Sequence, residues 1–101
     1  MYARRTTVKA SPDKAEEARR VIEGTVIPGA RQLAGFRGGY WLFDPSAGES
    51  VSFTFFDTRE HLEGSETAAQ QLRTSASGQI GADVTGVERY EVAAQDHPTS
   101  T

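Results

Sequence analysis

Two rhythms of apolar and polar residues alternate along this chain. Residues Tyr2–Ala10, with Thr6, Thr7 and Val8 among them, favour extended backbone and predict a first strand. Ser11-Pro12-Asp13 then supplies a helix start, with Ser as N-cap, Pro at the first helical position and an acid in the first turn. Ala15, Ala18, Ile22, Val26, Gly29 and Leu33 recur at helical spacing and form one narrow stripe, opposite Lys14, Glu16, Glu17, Arg20 and Glu23. Glu16 and Arg20 stand four apart in the order that favours an ion pair. Pro28 interrupts the helix, because its ring clashes with the carbonyl four residues back, that of Gly24. A kink across Gly24–Pro28 is therefore predicted, leaving that carbonyl open to water or a ligand.

Gly35-Phe36-Arg37-Gly38-Gly39 ends the helix and opens a second strand, Tyr40–Phe43. After the turn Asp44-Pro45-Ser46-Ala47-Gly48, a third strand over Ser50–Phe56 alternates cleanly: Val51, Phe53 and Phe55 on one side, Ser52, Thr54 and Phe56 on the other. The short loop predicts an antiparallel hairpin. Asp57-Thr58-Arg59-Glu60 reads as a capping box that opens a second helix, with Asp57 as the cap. Gly64-Ser65 breaks or re-caps that helix, Leu62, Ala69, Leu72, Ala76 and Ile80 carry its stripe, and Gly78 and Gly81 end it. Val84–Ala93 is the last strand.

Two β-α-β halves around a hairpin predict an α+β, ferredoxin-like βαββαβ domain. Its four-stranded antiparallel sheet has the first and third strands central and both helices on one face. Strands two and three carry rings on both faces, so the uncovered face is expected to pair with a second copy, giving a homodimer through sheet faces and a dimeric α+β barrel. Residues 1–94 form one domain in this reading, and the polar tail 95–101, which contains Pro98, is expected to be disordered.

Composition narrows the chemistry. A net charge of −3 without a basic cluster speaks against nucleic acid. The absence of Cys excludes disulfides, thiolate catalysis, iron–sulfur clusters and Cys-based zinc sites. No apolar run suits a signal peptide or a membrane span, so a cytoplasmic protein is expected. His61 and His97 are far apart and no paired-carboxylate spacing accompanies them, so neither a metal nor another cofactor is expected. Gly38-Gly39 opens a strand, whereas a phosphate loop would precede a helix.

Arg73 is the foremost polar candidate. It follows Ala69 by four and precedes Ala76 by three, so it falls inside the apolar stripe. Its guanidinium could hold an oxyanion between helix and sheet, or its stem could cover apolar surface while the charge reaches water. Arg4 and Arg5 alternate across a central strand, one towards the helices and one away, and cross-strand pairing with Glu88 or Glu91 is expected of them. Trp41, Tyr90, Phe53 and Phe55, with Tyr40 and Phe43, form an aromatic inventory from which core, interface or the walls for a flat ligand could be drawn. His61, about 80° off the stripe, is a surface residue or the best side-chain base available.

These residues also carry a resemblance. The opening Ala3-Arg4…Ser11-Pro12-Asp13-Lys14, Pro28 late in the first helix, the run Leu33–Leu42, Gly48-Glu49, and Phe56-Asp57-Thr58-Arg59-Glu60 resemble the antibiotic biosynthesis monooxygenase-like group of dimeric α+β barrels, over roughly Tyr2 to Ala93. The resemblance implies sheet-to-sheet dimers and a small planar, apolar ligand. In some members it also implies oxygenation of polyaromatic substrates by O2 without metal or flavin, and in others haem cleavage. Where oxygenases of the group often carry Trp, between the third strand and second helix, this chain has Phe56. The first strand has no Asn and the helix after Ser65 no His, which points away from the haem-cleaving branch. Two readings result: a dimeric barrel that binds and oxygenates an aromatic molecule with Arg73 and His61 as catalytic candidates and Arg4, Trp41, Tyr90, Phe53 and Phe55 as ligand contacts, or a non-catalytic dimeric module.

Overall fold

Extended backbone at Tyr2–Lys9 (β1), Phe36–Asp44 (β2), Glu49–Phe56 (β3) and Asp83–Glu91 (β4) assembles one antiparallel sheet in this computed structural model, which describes residues 1–96. The strand order is β2-β3-β1-β4, with the first and third strands central, as the βαββαβ pattern requires. The part of the expected tail beyond residue 96, with His97 and Pro98, lies outside the described residues.

β2 begins earlier than the expected Tyr40. Phe36 pairs with Phe56 and Gly39 with Thr54, so one extra residue is bulged out of β2 between them. Gly38, at φ 109°, absorbs the bulge, so the glycines expected to open the strand lie within it. A second bulge, at Thr85, lets Gly86 pair with Thr7 and Val84 with Val8.

The first helical segment comprises a 3-10 turn at Pro12–Lys14, α1 at Ala15–Val21, a π-helical stretch at Ile22–Val26 and α2 at Ile27–Ala30. The irregularity falls in the segment where a kink was expected, and it takes the form of a π-helical stretch. The turn before Pro28 widens, with the Ile27 N–H bonded to the Ile22 carbonyl five residues back, and this relieves the proline without breaking the helix. Two local expectations also change. Ser11 makes no side-chain cap and instead bonds the Asp13 carboxylate. Glu16 pairs with Arg19 at 3.2 Å rather than with Arg20, and both groups are exposed enough that the pair adds little.

α3 (Arg59–Gly64) and α4 (Glu66–Ile80) meet at the buried Ser65, whose hydroxyl donates to the Leu62 carbonyl at 2.7 Å. The cap of α3 is Thr58, one residue after the expected Asp57; its hydroxyl accepts the His61 backbone N–H at 3.1 Å. α4 runs through Gly78 and closes on Gly81 in the left-handed conformation at φ 64°. Gly29 lets α2 approach α4 so closely that a Cβ there would stand 2.8 Å from Leu72 Cδ1. Between helices and sheet the fully buried large side chain is Phe56, edge-on to Phe36 at 6.0 Å; most other buried apolar residues are alanines.

Candidate functional site

Strand register decides which side chains meet the helices. Arg4 and Thr6 of β1 pair with Thr54 and Ser52 of β3, and Trp41 of β2 pairs with Ser52. Arg4 reaches α3 and α4, donating through Nη2 to the Leu62 carbonyl at 3.1 Å, Ser65 Oγ at 2.8 Å and Glu66 Oε1 at 2.9 Å. The covered side of the sheet therefore carries Arg4, Thr6, Ser52, Thr54 and Trp41. By alternation Val51, Phe53 and Phe55 lie on the other side, with Tyr40, Leu42 and Tyr90.

Small side chains on the covered side leave space. A half-open pocket of about 100 Å³ has Arg4, Thr6, Ser52 and Thr54 as its floor, Leu72, Ala76 and Arg73 of α4 among its upper walls, and Trp41 at its side. A second void of about 80 Å³ adjoins it, sharing Val26, Trp41, Ser52 and Ala76 and extending to Val8, Ile22 and Ile80. Beside them lies a larger groove of about 550 Å³ between the first helix and β2, again walled by Trp41.

The polar end of the first void is electropositive. Arg4, Arg73 and Arg89 gather around a single carboxylate, Glu66. Glu66 bonds Arg89 Nε at 2.7 Å and Arg4 at 2.9 Å, and its pKa is lowered to about 2, first by the Arg89 hydrogen bond and then by Arg4. Arg4, 2% exposed, is also held by the Phe56 ring, 5.4 Å from its guanidinium carbon. Arg4 thus pairs with an acid on α4, where Glu88 or Glu91 was expected; Arg5, on the open side, is the residue opposite Glu88. Arg73 lacks such an acid of its own. Its Nη1 is buried without a partner among the described residues, as is Arg4 Nε. Burial and the neighbouring Arg4 both lower the Arg73 pKa, the mark of a cation held where its charge is poorly compensated.

Arg73, Arg4 and Trp41 are thus brought together. Tyr90, Phe53 and Phe55 stand across the sheet from them, Tyr90 being 48% exposed. His61 is separate from the void: its Nδ1 lies 2.6 Å from Asp57 Oδ1 on an exposed corner, and the Asp57 carboxyl is lowered first by that bond. Arg37 approaches the same carboxylate at 3.6 Å. The lining of the void contains no His, Tyr or carboxylate. Among the described residues no three His, Asp or Glu gather as metal ligands, and no helix is long and apolar enough to cross a membrane. Sequence reasoning passed over Glu66, Ser52, Thr54 and Thr6. The alternation of Ser52 and Thr54 with phenylalanines was visible, but alternation alone does not say which side meets the helices.

No family model matches the chain. It is 28% identical over 91 residues to uncharacterized proteins from two strains of Mycobacterium tuberculosis, an alignment spanning 89% of this chain and 39% of those proteins. Among solved structures it resembles a Deinococcus radiodurans protein provisionally named an antibiotic biosynthesis monooxygenase, with a TM-score of 0.71 at 17% identity over 99% of this chain and 100% of that one. It also resembles HapK from Hahella chejuensis, with a TM-score of 0.75 at 10% identity over 99% and 100% of the two chains. A third likeness is to a monooxygenase from the ActVA-Orf6 gene of Streptomyces coelicolor, solved with the ligand nanaomycin D, with a TM-score of 0.69 at 12% identity over 97% and 92%. The chain has the α+β fold of antibiotic biosynthesis monooxygenase-like proteins.

Proposed function

We propose that residues 1–94 form one domain that binds a small planar molecule as an oxyanion in the space between helices and sheet, with Arg73 as its principal polar contact. The observation that supports this most directly is the buried, partnerless Nη1 of Arg73 at the end of a void floored by hydroxyl groups. A buried N–H without an acceptor is costly, and a bound phenolate, enolate or carboxylate would satisfy it. Trp41 supplies a flat apolar wall, while Arg4, already fixed by Glu66 and Phe56, keeps the field positive.

A monooxygenase reading is favoured by a specific likeness, that to the Streptomyces coelicolor monooxygenase with its bound ligand. In that reading the anion stabilised by Arg73 is the electron-rich species that meets O2, and no metal or flavin takes part. The absence of a side-chain base from the lining means that ionisation of a phenol would be driven by the arginines rather than by His61. The open sheet side, with Tyr40 50% and Leu42 51% exposed, supports homodimerisation through sheet faces.

Trp41 is the single tryptophan, so its fluorescence reports occupancy directly. Titration with 4-nitrophenolate should quench it, and the neutral isostere 4-nitroanisole should bind at least about tenfold more weakly, the worth of one charge-assisted hydrogen bond. Arg73→Met should abolish the preference. Equal binding of the two probes to the unaltered protein would sink the proposal.

A further inference from the structure

We infer that Trp41 is the gate of the inner space and sets the size of the molecule it admits, an inference that rests on the ligand-binding reading above. The geometry begins with volumes. The two inner voids, about 100 and 80 Å³, are each too small for a ring system, since pockets for such ligands run to roughly 300 Å³ or more. The groove outside offers about 550 Å³ but lacks Arg73 and the hydroxyl floor among its walls. Trp41 is the residue that walls all three spaces.

Its position explains how one side chain does this. The indole folds back along β2 and rests over Gly39, where a Cβ would stand 3.0 Å from the ring atom Cη2. A glycine is what leaves that seat free. On the opposite wall, Ala18 and Ile22 of the first helical segment line both the groove and the smaller void, so the partition consists of the indole below and these two side chains above. Ile22 opens the π-helical stretch, where the backbone ladder is already widened. Rotation of the indole towards the groove moves it into open volume and joins the groove to both voids, so that a ring entering from outside reaches Arg73. In the resting position the indole stands between the groove and the two smaller pockets.

The test uses the full chain and two anionic probes of different size, 4-nitrophenolate and anthraquinone-2-carboxylate, followed by equilibrium dialysis and by stopped-flow absorbance. The unaltered protein should take up the small probe slowly and the large one at least about tenfold more weakly than Trp41→Ala does. Trp41→Ala should bind both, with association of the small probe about tenfold faster. Trp41→Phe should fall between, which guards against a cavity variant that folds poorly. Arg73→Met in the Trp41→Ala background should lose both probes. If Trp41→Ala and the unaltered protein bind both probes with the same rates and affinities, the gate is overturned while the binding site stands. If neither binds either probe although circular dichroism shows native fold, the binding reading fails, and the gate with it.

Discussion

The two faces of the sheet carry opposite chemistry, and in the opposite sense to a sheet packed only for stability. On β3 the covered side presents Ser50, Ser52 and Thr54 to the helices, while the uncovered side presents Val51, Phe53 and Phe55. A sheet with one buried face ordinarily turns its apolar side inward. Here Phe53 and Phe55 face away from the helices, and apart from Phe56 the β3 side chains beneath the helices are hydroxyls, with the Arg4 guanidinium beside them. The contrast teaches that each face meets a different demand. In the proposed reading the covered side keeps room and hydrogen-bonding capacity for a small ligand, and the uncovered side is the one buried against a second copy.

The contrast can be broken most forcefully at its one packed point. Phe56 is fully buried on the covered side, touching Phe36 and stacking on Arg4. Phe56→Ala should cost about 4 kcal/mol, the usual loss for a core phenylalanine, measured by urea denaturation. A loss below about 1 kcal/mol would mean that the core around Phe56 is too loose to hold Arg4 in place. On the other side Phe53→Asp should act on association rather than on folding. Sedimentation should show the dimer weakened by about a hundredfold, the effect of removing a central aromatic anchor and burying a charge. A species that is monomeric before the substitution ends the sheet-to-sheet proposal.

Acid should distinguish the faces too. Glu66 is free to ionise fully above its unfolded pKa of 4.5, and in the folded chain it stays ionised down to about 2 because Arg89 and Arg4 bond its carboxylate. The folded pKa is the lower one, so the stabilisation is complete above pH 4.5 and disappears as pH falls towards 2. The loss should amount to about 1–2 kcal/mol, allowing for solvent screening of a partly exposed acid. Denaturation at steps between pH 5 and 2 should show that slope in the unaltered chain and a shallower one in Glu66→Gln.

Much of this architecture was legible because it depends on local rules. Periodicity, the Ser11-Pro12-Asp13 start and the turn glycines require only neighbouring residues, and they led to the strand order and both helices. Which face of β3 turns inward was not legible. Alternation separates Ser52 from Phe53 but is symmetric about the strand, and only the register with Arg4 and the helices breaks the symmetry. Arg73 could be singled out because it interrupts an apolar stripe. Glu66 could not, because its importance comes from Arg4 and Arg89, distant in the chain and adjacent only after folding. The cap at Thr58 differed from expectation by a single residue, a margin that local sequence does not resolve, and the disturbance at Pro28 was placed but its π-helical form was not.

The gentlest change sharpens the comparison most. Ser52 lies at the floor of both inner voids, where its hydroxyl occupies a position that packing alone would give to a branched apolar side chain. If the covered side were selected for stability, Ser52→Val would disturb a fitted core. If it is kept open for a ligand, the same substitution fills empty volume, removes a hydroxyl from the floor, and should stabilise the chain by about 1 kcal/mol, as cavity-filling changes at functional sites do. The price of that gain falls on binding, with affinity for 4-nitrophenolate reduced about tenfold as the floor rises. Thermal unfolding and the Trp41 fluorescence titration on one preparation give both numbers. A destabilised variant that still binds would place the hydroxyl in the structural framework, and a stabilised one that no longer binds would place it in the site.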